Sequence, residues 1–178
     1  MLNTVPRAIS AALEAFCLSI APSRPRFIRS KPSPTAEPSA CFDNVSRKIE
    51  RAGGSIVHGW AIWTVPGVCY EAEHHGAWRR RGGEIIDVSP QLNNARRILF
   101  LPDGEATFDP LTHRSNIIRA VEGNPLAAEF VELANRRNAI QDAYRIDGNR
   151  LALFTISDQR ELEEIRFRLL GLWPHLKA

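Results

Sequence analysis

The stretch around residues 79–83 constrains the fold most, because it reads as a tight turn between two strands. Residues 68–78 and 84–88 are rich in apolar, aromatic and β-branched side chains, and the three arginines and two glycines between them have the composition of a hairpin turn. If the turn is symmetric about its middle residue, His75 faces Asp87 across the two strands. A carboxylate in that position can accept a hydrogen bond from the imidazole and select its tautomer. The sequence therefore predicts an antiparallel hairpin that carries a His–Asp pair.

Side-chain alternation divides the first of these strands into two faces. We expect the face with His74 and Trp78 to be core, and His74 to be a buried or partly buried core histidine. The other face carries His75 together with carboxylates, of which Glu73 is the nearest, and we expect it to line a cleft. A charged surface hairpin without chemistry is the alternative for His75.

Cys41 lies at the predicted start of a helix. Apolar residues recur at helical spacing between positions 42 and 49, Ser39 can serve as the N-cap, and two glycines after Ala52 predict the end of the helix. In the first turn, unpaired backbone amides and the positive end of the helix dipole favour a thiolate, which is a good nucleophile. The alternative is that Cys41, like many free cysteines, is a small buried apolar side chain.

Four further side chains are candidates for substrate binding. Trp60 and Trp63 are three residues apart on a predicted strand, so they face opposite sides, and we expect one of them to line a substrate groove. Glu73 and Asn44 are candidate polar contacts near His75 and Cys41. A turn or capping role is the alternative for Asn44.

Segments 41–42, 75–78 and 87–90 resemble the core of transglutaminase-like and papain-like thiol enzymes. They read Cys-Phe, His-Gly-Ala-Trp and Asp-Val-Ser-Pro. The chain also resembles a group of uncharacterised bacterial proteins marked by Cys-Phe-x-Asn-Val, Gly-Trp-x-Ile-Trp, Glu-Ala-Glu-x-His and Ile-Leu-Phe-Leu-Pro-Asp segments. Together these resemblances cover about residues 40–103.

The resemblance implies an α+β fold of the papain/transglutaminase type, in which a helix bearing the nucleophile packs on an antiparallel sheet. It also implies acyl chemistry on an amide bond of peptide, isopeptide or glutamine type, through a thioester. Cys41 would be the nucleophile, His75 the base and then the acid, and Asp87 the group that orients His75. Either water or an amine could accept the acyl group.

Domain organisation follows from the distribution of proline. Six of the 12 prolines lie in residues 1–38, which we interpret as a helix over residues 8–20 followed by an extended arm on the domain surface. A secretory signal is the competing interpretation, but Glu14 interrupts the apolar stretch and Arg7 is its single preceding cation. Residues 39–178 are expected to form one α+β catalytic-like domain.

The remainder of the chain has four recognisable elements. We expect a strand over residues 97–101, a helix that begins with Asn124 as cap and Pro125 as its first residue, and a strand over residues 151–156. A final helix is expected to follow Ser157.

Composition limits the partners. The 178 residues are 44% hydrophobic and 24% charged, with a net charge of +3, and they contain neither a dinucleotide fingerprint nor a phosphate-binding glycine loop. We therefore expect no cofactor, no nucleic acid and no membrane, while the resemblance implies a peptide or protein amide substrate; the oligomeric state does not follow from the residues. Three cysteines without a disulfide framework favour the cytoplasm, with a secreted or translocated effector as the alternative.

Two other functional classes remain open at this stage. A metal site could use Cys69, Glu73 and His75, which share one strand face. Same-face neighbours on a strand are about 6.6 Å apart, so at most two of them could bind one ion without help from elsewhere. A binding module that keeps the fold without chemistry is the other possibility.

Overall fold

The computed structural model describes residues 3–91, 94–147 and 150–176. Within them the chain forms six strands and four helices, whose order along the chain mixes the two types. They are α1 (Ala11–Leu18), β1 (Arg26–Ser30), α2 (Cys41–Ala52), β2 (Ser55–Val65), β3 (Cys69–Arg79), β4 (Ile85–Asp87), β5 (Arg97–Pro102), β6 (Ile117–Ala120), α3 (Pro125–Ala143) and α4 (Ile156–Leu176).

Strands β1 to β5 close into a mixed barrel. They are hydrogen-bonded in the order β2-β5-β1-β4-β3, and β2 also pairs with β3, which completes the ring; β6 adds to β3. The β1–β4 pair is parallel, whereas β1–β5, β2–β5 and β3–β4 are antiparallel. The predicted papain/transglutaminase-like arrangement, with the nucleophile helix on an antiparallel sheet, is therefore wrong. The cause is β1, which inserts between β4 and β5 and runs parallel to β4.

The hairpin register differs from the predicted one. Trp78 pairs with Ile86 and Arg79 with Ile85, so His75 does not lie directly opposite Asp87. The shift along β4 is two residues, and since side chains alternate with a period of two, both side chains stay on the predicted common face. Asp87 instead pairs with Ser30 of β1.

The described residues form two compact units. The barrel unit consists of Asn3–Trp63 and Ala72–Phe108, and the helical unit of Thr64–Glu71 and residues 109–176. Residues 3–38, which we predict to be a helix followed by an extended arm, belong to the barrel unit. They contribute α1, close to the predicted helix, and β1.

The barrel unit has an apolar interior and a second apolar layer under α2. Seven buried residues fill the interior: Ile28, Val57, Ala61, Trp63, Ala77, Ile98 and Phe100. On the outside, Val45 of α2 packs with Trp78, Ile86 and Val88. Burying each such large side chain contributes about 1.5 to 3 kcal/mol, so this second layer holds α2 against β3 and β4.

Helix α2 starts and stops close to the predicted positions. Its first residue is Cys41, and its N-cap is Ala40, which provides no side-chain hydrogen bond, so the prediction of Ser39 as the cap is wrong. The helix ends at Ala52 because Gly53 adopts φ +67°, a conformation that L side chains rarely take, and this end is as predicted.

The helical unit has its own apolar cluster between α3, α4 and the 64–71 segment. Asn124 caps α3 by accepting a hydrogen bond from the Ala127 amide, and Pro125 opens the helix, as predicted. The predicted strand over residues 151–156 is wrong, since Leu151 forms an isolated bridge with Arg145 and α4 begins at Ile156. The predicted strand over residues 97–101 is confirmed as β5. None of the helices described here is both long and apolar enough to cross a membrane.

Candidate active site

Cys41, the first residue of α2, is held close to β3 by its neighbour. The ring of Phe42 lies 4.7 Å from the ring of His74, centroid to centroid. A Cβ added to Gly76 would come within 2.8 Å of Cδ1 of Phe42, so only a glycine at this position lets the start of α2 approach so closely. The packing of Phe42 therefore explains why the residue after His75 is a glycine. It brings the helix end that bears the cysteine to the strand that bears the histidine.

His75 is buried, with 4% of its surface exposed, and its ring lies edge-on to Phe100 of the barrel interior. Its strand face is predicted to line a cleft, but His75 itself is buried against the barrel interior. The imidazole Nε2 lies 3.1 Å from Oδ1 of Asp87. The Cys41 sulfur lies near enough to His75 to influence its protonation. Since Nε2 is occupied by the carboxylate, Nδ1 is the nitrogen available to the sulfur.

The protonation state of His75 follows from these partners. Burial alone would lower its pKa, but the hydrogen bond to Asp87, the charge of that carboxylate and the nearby Cys41 sulfur outweigh burial and raise the pKa to about 10. The imidazolium is therefore the stable form at neutral pH. An imidazolium donates from both ring nitrogens, which suits it to a carboxylate on one side and a sulfur on the other.

Asp87 is fully buried and its carboxylate is saturated with donors. Oδ1 accepts from His75 and from the Ser89 amide at 3.1 Å, and Oδ2 accepts from the Ser30 hydroxyl and the Gln91 amide nitrogen at 2.7 Å. Burial would raise the pKa of Asp87, but its hydrogen bonds and the His75 charge bring it below the ordinary value. A carboxylate with this many donors stays ionised and keeps a fixed orientation.

Sequence reasoning missed Ser30 and Gln91. Ser30 is separated from Asp87 by 57 positions and reaches it only because β1 and β4 are parallel neighbours. No local pattern signals such a contact. Gln91 follows the Asp-Val-Ser-Pro segment directly, and its nearness along the chain was the one available signal.

Asn44 lies three residues along α2 from Cys41 and is 1% exposed. Its side chain accepts from the Glu37 amide at 2.9 Å and donates to the Glu37 carbonyl at 2.8 Å, which imitates a strand pairing. It also donates to the Ser89 hydroxyl at 3.1 Å and accepts from Arg47 at 2.7 Å. These bonds occupy the amide within the protein and tie the segment after β1 to α2 and to Ser89.

Trp60 and Trp63 face opposite sides of β2, as predicted. Trp63 belongs to the barrel interior, and its indole N–H donates to Glu73 at 2.8 Å. The Trp60 ring lies 5.5 Å from the ring of His74, and its indole donates to Asp103 at 2.9 Å.

An aromatic group therefore surrounds Phe42, the residue next to Cys41. Phe42 stacks on Phe108 at 4.1 Å and on His58 at 6.1 Å, and Phe108 is 41% exposed. His74 is partly buried in this group and its Nε2 lies 2.7 Å from the Ala106 carbonyl oxygen. Trp60 is thus the tryptophan on the side of the barrel wall where Phe42 packs.

The other two cysteines have different surroundings. Cys17 and Cys69 are fully buried, whereas Cys41 is partly exposed. Burial, reinforced by Glu14 and Glu71 respectively, raises the pKa of each buried thiol to about 11. In the part of the chain that the structure describes, no group of three or more His, Cys, Asp and Glu side chains is placed to hold a metal ion.

The fold and the site together define a five-stranded mixed barrel with a Cys–His–Asp arrangement at the junction of α2, β3 and β4. Comparison with known proteins adds no relative: neither a family model, nor a curated protein, nor a solved structure matches this chain.

Proposed function

We propose that this protein is a cysteine-nucleophile hydrolase or acyltransferase that acts on an amide bond of a peptide or protein. The observation that carries the proposal is the grouping of Cys41, His75 and Asp87, in which His75 is hydrogen-bonded to a fully buried carboxylate and lies near the Cys41 sulfur. A thiol, an imidazole and an orienting carboxylate in this order are the parts that thiol acyl chemistry needs.

The reaction would begin with attack of the Cys41 sulfur on the amide carbonyl carbon, with His75 as its protonated partner. Collapse of the tetrahedral intermediate breaks the C–N bond, the His75 proton passes to the departing amine, and a thioester on Cys41 remains. Neutral His75 then takes a proton from water or an amine, which attacks the thioester. This second step releases an acid or a new amide and restores the thiolate and imidazolium. Asp87 keeps the imidazole oriented throughout.

The first turn of α2 offers stabilisation for the oxyanion. Ala40 provides no side-chain cap, and the first backbone hydrogen bond of the helix runs from the Asn44 amide to the Ala40 carbonyl. The amides of Cys41 and the two residues after it precede that bond, so they can donate to an oxygen near the sulfur. Removing one such donor from an enzyme typically costs about 100- to 1,000-fold in rate.

Trp60 is the better candidate of the two tryptophans for contact with substrate. It belongs to the aromatic group around Phe42, whereas Trp63 fills the barrel interior. We place the reaction in a reducing cytoplasmic compartment, which is supported by three unpaired cysteines. The proposal involves neither nucleic acid nor membrane.

Acyl-enzyme trapping tests the proposal. The protein is mixed with p-nitrophenyl acetate, and release of p-nitrophenol and intact mass are followed together. We expect a burst of about one equivalent and one acetyl group on Cys41, lost in Cys41→Ala and retained in Cys17→Ala. His75→Ala should reduce the burst rate at least 100-fold, whereas His113→Ala, which changes an exposed histidine of the helical unit, should not.

A panel of glutamine-containing and isopeptide-linked peptides then tests the amide class, with ammonia release and peptide cleavage as readouts. If neither the burst nor any Cys41-dependent turnover is observed, the proposal that this protein is an enzyme is rejected. The chain would then be better described as a binding module that retains the arrangement without chemistry.

A further inference from the structure

The barrel unit carries a second feature that the proposed chemistry does not use, a groove of about 530 Å³. This volume falls in the range of small-molecule sites. Its floor is formed by Trp78, Ile86 and Val88, which belong to the apolar layer beneath α2 and are at most 8% exposed. The floor is therefore rigid, and the character of the groove is set by the charged side chains around it.

Five cationic side chains line this groove, and they come from three separate segments of the barrel unit. They are Arg29, Lys31, Lys48, Arg80 and Arg81. Glu84 is the one carboxylate paired with this set, at 3.4 Å from Arg29 and 3.7 Å from Arg80. Five cations against one carboxylate leave four net positive charges. Among the residues that the structure describes, no carboxylate lies within ion-pair distance of Lys31, Lys48 or Arg81.

Local geometry places three of these residues at the groove. A Cβ on Gly53 would lie 2.7 Å from Nε of Arg81, so the glycine at the end of α2 makes room for this guanidinium beside the negative end of the helix dipole. The Lys31 amide donates to the Asp87 carbonyl at 2.8 Å, which extends the β1–β4 pairing into the rim of the groove. Lys48 lies 4.9 Å from the centroid of the Trp78 ring.

We propose that this groove binds a small molecule that carries two or more phosphate groups close together. A phosphate monoester carries about 1.5 to 2 negative charges at pH 7, so two such groups balance the excess of positive charge. Arginine guanidinium groups match phosphate oxygens in a bidentate fashion, and lysine adds point charge. A single carboxylate would leave most of the charge uncompensated. The site is distinct from the Cys41 chemistry and does not depend on it.

Isothermal titration calorimetry with inorganic tripolyphosphate tests the proposal at low and physiological ionic strength. We expect saturable one-to-one binding that Lys31→Gln/Arg81→Gln weakens at least tenfold, with each single substitution weakening it about threefold. The matched control is Arg24→Gln/Arg160→Gln, which removes the same charge from exposed arginines outside the groove and should change the dissociation constant less than twofold. Cys41→Ala should bind like the unsubstituted protein.

Three results would overturn the proposal. One is the absence of saturable binding to the unsubstituted protein at low ionic strength. Another is equal weakening by the groove and control pairs, which would indicate a response to net charge alone. The third is binding of a hexaglutamate peptide or an oligothymidylate as tightly as tripolyphosphate, which would assign the groove to an acidic peptide or a nucleic acid. Circular dichroism establishes whether each variant is folded. If the double variant Lys31→Gln/Arg81→Gln is unfolded, the two single variants still decide the test.

Discussion

Oδ1 of Asp87 lies 3.1 Å from Nε2 of His75, and both side chains are buried in the barrel unit. The pair is ionic and each side chain is at most 4% exposed, so its charge state bears on the stability of the fold and, under the proposed function, on the reactivity of Cys41. The predictions below separate these two consequences.

Selective alkylation of Cys41 is the first prediction. With iodoacetamide near pH 6.5, we expect Cys41 to react at least tenfold faster than Cys17 and Cys69, because burial raises the pKa of both other thiols to about 11. His75→Ala should slow the alkylation of Cys41 at least tenfold, because it removes the imidazolium partner. Peptide mapping by mass spectrometry gives the rate at each site. Equal rates in His75→Ala and the unsubstituted protein would show that no thiolate–imidazolium pair forms.

The stability of the ion pair should depend on pH in a defined window. The folded-state pKa of His75, about 10, lies above its ordinary value near 6.5, so its contribution is complete below about pH 6.5 and is lost as the pH rises toward 10. The pKa of Asp87 is lowered in the fold, so its contribution is complete above about pH 4 and is lost as the pH falls further. The contribution of this pair to the free energy of unfolding should therefore be greatest between about pH 4 and 6.5.

Replacement of Asp87 tests this window. Asp87→Asn should lower the free energy of unfolding by about 3 to 5 kcal/mol near pH 5.5, because it leaves a buried histidine without its counter-ion, and by less near pH 9.5. Urea unfolding at both pH values measures the difference. Asp103→Asn is the control, since the Asp103 carboxylate accepts from the Trp60 indole and, among the described residues, forms no ion pair with a histidine imidazole; its effect should not vary over this range. A pH-independent effect of Asp87→Asn would contradict the charged pair.

Gly76 should be required for the approach of α2 to β3. Gly76→Ala places a Cβ 2.8 Å from the Phe42 ring, which we expect to cost about 1 to 3 kcal/mol and to reduce Cys41 alkylation severalfold by moving the helix start. Gly82→Ala is the matched control, because no atom lies within 4 Å of the added Cβ. Thermal unfolding and alkylation rates are measured on both. Similar behaviour of the two variants would show that the close contact has no role.

Asn44 should stabilise the packing of the segment after β1 against α2, through its bonds to Glu37 and Ser89. Asn44→Ala removes its bonds to Glu37 and Ser89 and leaves the buried Ser89 hydroxyl and partly buried backbone groups of Glu37 without these partners, for which we expect a loss of about 2 to 3 kcal/mol. Hydrogen exchange at the Glu37 amide should accelerate more than exchange in β5. Asn135→Ala loses only an exposed 3.4 Å contact with the Ile118 carbonyl and should be nearly neutral. If hydrogen exchange at the Glu37 amide is unchanged in Asn44→Ala, Asn44 does not hold this segment in place.

Local sequence patterns determined much of the candidate site. The helical spacing after Cys41 and the paired glycines define α2 to within a residue at its end, and the turn composition defines the hairpin of β3 and β4. The predicted register is wrong by two residues, yet His75 and Asp87 still lie on the predicted common face, because side-chain direction repeats every two residues. These features depend on residues close together in the chain, and their periodicities can be read directly.

Only the tertiary structure decided the barrel, the burial of the site and the donors around Asp87. β1 is five residues long and lies among prolines, so its own pattern is weak, yet it pairs with β4 and β5. That insertion closes the ring, covers the face of His75 and brings Ser30 to Asp87. Pairing between strands so distant in sequence depends on which edges remain unpaired once the hairpins have formed, and no local periodicity records that choice.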